Sequence, residues 1–87
     1  MKFTADRPFA DPEKAARRLM QHAHAFEPEQ DGRIYIEKIN GPFLYVDRGT
    51  PEEYAAGLDY AIRQGWLEIH GSGTFVKFTQ SGSDLFA

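Results

Sequence analysis

The sequence predicts a small α+β domain. Two segments begin with strong helix-start chemistry and carry apolar residues at helical spacing, and a later segment alternates apolar and polar residues about a glycine-rich tip. The chain has 87 residues and no cysteine, so it is read as a single domain over 1–87 with one core. Apolar residues make up 41% and aromatics 14%, enough bulky surface to close a small globule without a metal or a disulfide. The first ten residues are expected to form a loosely ordered arm.

The first element starts at Asp11-Pro12-Glu13. Aspartate accepts bonds from orphan amides, proline suits the first helical position and glutamate complements the helix dipole. Ala15, Ala16, Leu19, Met20, Ala23 and Phe26 follow on one stripe, with Lys14, Arg17, Arg18, Gln21 and His24 toward the other side. Pro28 and the polar run to Gly32 end this helix.

Arg33 to Ile39 is rich in β-branched and aromatic residues and is read as a strand. Asn40-Gly41-Pro42 comes next and leaves two readings open. Phe43 to Val46 returns as a second strand through an Asn-Gly turn, or Pro42 opens a single helical turn.

Thr50-Pro51-Glu52-Glu53 is the strongest local signal: a threonine cap, proline at the first position and glutamate three residues after the cap. Tyr54, Ala55, Leu58, Ala61 and Ile62 form the apolar stripe of the helix it opens, and Gly65 is its left-handed stop, with Trp66 folding back. Gly57 in mid-helix costs about 1 kcal/mol relative to alanine, which points to close approach by another element.

Leu67 to His70 alternates, Gly71-Ser72-Gly73 is turn chemistry, and Thr74 to Thr79 resumes the alternation, which together read as a β-hairpin. Thr79 to Phe86 then reads as a capped helical turn that tucks Leu85 and Phe86 onto the core.

The order helix, strand, short undecided segment, helix, β-hairpin and short helical turn resembles the winged-helix domain of many bacterial transcription regulators. Gln64-Gly65-Trp66-Leu67 looks like the family's stop before the wing, and Lys77-Phe78-Thr79-Gln80-Ser81-Gly82 looks like its tail. The chain also looks like small bacterial proteins of this length. The resemblance implies a non-enzymatic, nucleic-acid-binding or transcription-regulatory protein, with Thr50 to Trp66 as the helix that enters the major groove. Gly41-Pro42 departs from the family, because it stands where a regular second helix is expected.

Charge weighs against that implied role. The formal net charge is −3, and Glu52, Glu53 and Asp59 oppose only Arg63 on the helix that would read bases. The candidate nucleic-acid contacts are therefore spread over Lys14, Arg17, Arg18, Arg48, Arg63 and Lys77. Tyr35, Tyr45, Tyr60 and Phe75 are candidate aromatics facing a protein partner or a second copy, the alternative reading of the domain.

Catalytic chemistry has no foothold in the motifs. His22 and His24 lie two apart on a helix and point in different directions, no HxxxH or HExxH spacing occurs, and Gly71-Ser72-Gly73 is a hairpin tip rather than a phosphate loop. No cofactor or metal is expected. Without a membrane-length apolar run or a leader-like N-terminus, the expected location is cytoplasmic.

Overall fold

The computed structural model describes residues 7–25 and 33–85. In chain order they form a 3-10 turn at Pro8–Ala10, helix α1 (Pro12–Ala25), strand β1 (Arg33–Tyr35), helices α2 (Glu37–Tyr45) and α3 (Pro51–Arg63), strands β2 (Leu67–Ile69) and β3 (Phe75–Phe78), and a short helix α4 (Gln80–Asp84). The sheet is antiparallel with order β1-β3-β2, so the second strand of the hairpin is central. This arrangement is α+β and compatible with a winged-helix topology.

The helix ends follow from local chemistry. Asp11 Oδ1 accepts from the Glu13 amide at 2.9 Å at the start of α1. At α3, Thr50 Oγ1 accepts from the Glu53 amide at 3.1 Å while Glu53 Oε1 accepts from the Thr50 amide at 3.0 Å, a reciprocal capping box. Gly65 adopts φ +77°, and the amides of Gly65 and Trp66 return to the carbonyls of Ile62 and Ala61 at 3.0 and 2.9 Å. Those two bonds make a Schellman stop, which reverses the chain into β2.

Ala15, Ala16, Leu19, Met20 and Ala23 of α1 are fully buried and meet Ile34, Ile39, Phe43, Ala61, Leu67 and Val76 in one core. Phe26 and Phe86 lie outside the described residues; Leu85 packs against the core. Gly57 explains how α3 reaches α1, since a Cβ there would stand 2.8 Å from the Ala15 Cβ. Ala55, expected on the α3 stripe, is exposed, and the buried positions of that helix are Gly57 and Ala61. Gly57 and Ala61, one turn apart, share the face turned to the core, and Ala55 lies off that face.

Two expectations for the middle of the chain are corrected. The strand predicted over 33–39 ends at Tyr35, where its partner β3 begins at Phe75, and the Ile36 amide bonding the Thr74 carbonyl at 3.1 Å is the last rung. From Ile36 the backbone turns helical, and the amides of Ile39 and Asn40 bond back to the Ile36 carbonyl at 2.9 and 2.8 Å. Gly41-Pro42 does not interrupt the second helix, and neither the returning strand nor a single turn is formed. The nine residues of α2 run through Pro42 because Ile39 and Phe43, one turn apart, are both drawn fully into the core. Gly41 helps, since the residue before proline resists the helical region partly through its Cβ.

Before α1, residues 7–10 of the N-terminal arm are tied down. Phe9 packs against Phe43 with ring centroids 5.1 Å apart, and Arg7 forks onto Glu53 at 2.6 and 2.9 Å. After β3, Thr79 anchors α4: its hydroxyl accepts from the Gly82 amide at 3.0 Å and donates to the Gly65 carbonyl.

Candidate nucleic-acid interface

The two arginines of α1 are engaged within the fold. Arg18 clasps Asp47, in the turn after α2, at 2.9 and 3.0 Å, and His22 Nε2 meets the same carboxylate at 2.6 Å. Burial pushes the Asp47 carboxyl upward, but the hydrogen bonds from Arg18 and His22 outweigh it and hold the group below its usual range. Arg17 pairs with Glu13 at 3.0 Å and lies over the Trp66 ring. Lys14 is exposed, with no ion-pair partner among the described residues.

On α3, Arg63 is paired with Asp59 one turn back at 2.8 Å. Glu53 is held by Arg7 and by the cap, and the Arg7 hydrogen bond lowers its pKa against the opposing effect of burial. Of the two glutamates at the front of this helix, Glu53 is thus taken up by capping and by the N-terminal arm, while Glu52 stays exposed. Arg48 takes a left-handed backbone at φ +62° in the turn before α3 and exposes its side chain.

Tyr60 is turned onto Trp66, with centroids 5.8 Å apart, and its hydroxyl donates to Glu13 at 3.3 Å. Tyr45, by contrast, is 81% exposed and Val46 beside it 71%. Tyr35 and Phe75 lie elsewhere, on the sheet.

Register assembles the solvent face of that sheet. Side chains alternate along a strand, so Ile34, Val76 and Leu67 point into the core while Arg33, Tyr35, Phe75, Lys77, Glu68 and His70 point outward. Arg33 stands opposite Lys77, which stands opposite Glu68. In the next row the Tyr35 ring meets Phe75 edge-on at 6.2 Å, and the His70 ring stacks on Phe75 at 4.3 Å and 22°. The Arg33 guanidinium sits 5.7 Å from the Tyr35 centroid and 5.4 Å from that of Phe75. Of the sequence candidates, Lys77, Tyr35 and Phe75 are brought together here; Lys14, Arg17, Arg18, Arg48 and Arg63 lie on the helices and the turn before α3.

Arg33 is the residue that sequence reasoning missed. Its alternation with Ile34 and Tyr35 put it on the outward face, but its place opposite Lys77 depends on a strand pairing across more than forty residues. Among the described residues, no group of three His, Asp or Glu could hold a metal ion, and no helix is long and apolar enough to cross a membrane. No protein-family model, curated protein or solved structure matches this chain.

Proposed function

We propose that the chain is a non-enzymatic, winged-helix-like nucleic-acid-binding domain that meets its partner through the β2–β3 wing and the sheet face, not through α3. The observation that carries this reading is the placement of Arg33 directly opposite Lys77 on the exposed side of the sheet. Phosphate contacts draw on cationic side chains at the surface, and the register sets two of them, Arg33 and Lys77, side by side on one face, whereas Arg17, Arg18 and Arg63 are each paired with a carboxylate on or beside their own helix. Binding rather than catalysis fits the acidic residues as well, since Glu13, Asp47, Glu53 and Asp59 are each held by an arginine. A regulatory role in transcription is one use of such a domain.

Fluorescence polarisation with pooled random single-stranded and duplex oligonucleotides at low salt tests the reading. Salt-sensitive binding is expected; no binding by either pool overturns it.

A second reading rests on a different observation. Tyr45 and Val46 form an exposed apolar step at the end of α2, the kind of surface a protein partner or a second copy would cover. Sedimentation of the wild type and Tyr45→Ser over a range of concentrations tests it. Self-association lost in the variant supports an interface there, and a monomer throughout, with no partner retained on a Tyr45-dependent pull-down, rules it out.

A further inference from the structure

We infer that the outward sheet face binds single-stranded nucleic acid, with unpaired bases stacking on the row of Tyr35, Phe75 and His70 and phosphates meeting Arg33 and Lys77. The inference rests on the nucleic-acid reading above and specifies which form of nucleic acid the face accepts.

The charge on the face decides between strand forms. Arg33 and Lys77 are matched by Glu68, across from Lys77, and by Glu37, which rims the cleft beside Tyr35. A face so nearly balanced offers little to a duplex, whose bases are already stacked and which presents mainly its phosphates. It offers more to a strand with free bases, because stacking on aromatic rings contributes irrespective of net charge and tolerates any sequence.

The geometry suits that occupant. Three rings lie in a row across the sheet. His70 already covers one face of Phe75, which leaves the exposed His70 ring and the ring of Tyr35 at the other end of the row as the surfaces for bases to meet. His70 is held in place, with its Nδ1 accepting the Ser72 amide at 3.0 Å. Clefts flank the row on both sides, one lined by Glu68, Ile69, His70, Phe75 and Lys77, the other by Tyr35, Ile36, Glu37, Gly73 and Thr74. Each cleft has an aromatic wall where a planar base can lodge. Arg33, poised over two of the rings, combines a cation for phosphate with a flat surface for a base.

The test compares labelled oligo(dT), oligo(U) and a blunt duplex of equal length by fluorescence polarisation. Either single strand is expected to bind at least about tenfold more tightly than the duplex, and Tyr35→Leu to lose about tenfold. Lys77→Gln is expected to weaken binding mildly and flatten a salt dependence that is already shallow, roughly 1.4 log units of affinity per tenfold salt for two phosphate contacts on a single strand. A duplex that binds as well as the single strands overturns this inference and leaves the nucleic-acid reading standing. Failure of all three probes at low salt overturns both.

Should Tyr35→Leu fail to fold, amide shift mapping of the wild type with oligo(dT) decides the site. Shifts centred on Arg33, Tyr35, Phe75 and Lys77 support it, and shifts confined to Lys14, Arg17 and Arg48 overturn it. Self-association abolished by Tyr35→Leu would assign the face to a second copy of the chain and equally overturn it.

Discussion

Arg18 and Asp47 form a two-pronged ion pair, at 2.9 and 3.0 Å, between the middle of α1 and the turn that separates α2 from α3. The Asp47 side chain is only 7% exposed, and His22 closes on it from the next turn of α1. This contact sets where the turn lies on α1.

Replacing Asp47 by Asn leaves Arg18 without its counter-charge and is expected to destabilise the fold by about 2 kcal/mol at neutral pH, measured by urea denaturation. The folded-state pKa of Asp47 is depressed, so its contribution is fully present above the unfolded carboxylate pKa and is lost as pH falls through the lower, folded value. The gap between wild type and Asp47→Asn therefore closes in acid. An equal gap at both ends of the pH range would show that the ion pair is not its source.

Tyr54 carries a cost. Its hydroxyl is buried without a hydrogen-bond partner among the described residues, and burial pushes its pKa up to about 12. Tyr54→Phe removes the unpaired oxygen and keeps the ring beside Phe43, so the variant is expected to match or exceed the wild type in stability, by up to about 1 kcal/mol. A lower thermal midpoint would reveal a partner for the hydroxyl.

At Gly57 two effects oppose each other. Alanine improves helix propensity by about 1 kcal/mol, but its Cβ would press on Ala15, whose Cβ stands 2.8 Å away, and on backbone atoms at 3.1 Å. Backbone cannot move aside cheaply, so overpacking by roughly 1–3 kcal/mol wins and Gly57→Ala is expected to be less stable. Adding Ala15→Gly should recover part of the loss, which chemical denaturation of the double variant would show.

Thr79 joins three places in the fold through one hydroxyl and one amide. Its side chain caps α4 and bonds the Gly65 carbonyl, and its amide bonds the Trp66 carbonyl at 3.1 Å. Thr79→Ala is expected to cost about 1–2 kcal/mol and to raise hydrogen exchange in α4 before it does so in α1.

What could be read from the residues is the chemistry that acts over one turn. Thr50 with Glu53, Gly65 with Trp66, and Thr79 with Gly82 each complete a motif within a few residues, and the structure forms all three. The second helix was hidden because Asn40-Gly41-Pro42 is turn chemistry locally, and only burial of Ile39 and Phe43 against distant residues overrides it. The sheet face was half legible. Alternation marks Tyr35, Phe75 and Lys77 as outward, but their assembly with Arg33 and His70 needs the antiparallel register of strands far apart in the chain. Asp47 gave no local sign of its role, since its partners lie on α1 twenty-five and twenty-nine residues away.

The central position of β3 leaves β1 and β2 as the two borders of the sheet, and each is only three residues long. Borders that short expose few open amides and carbonyls, so another chain gains little by adding a strand to them. The domain is in this way shielded from the commonest route by which small sheets polymerise, and whatever engages the sheet must approach it broadside.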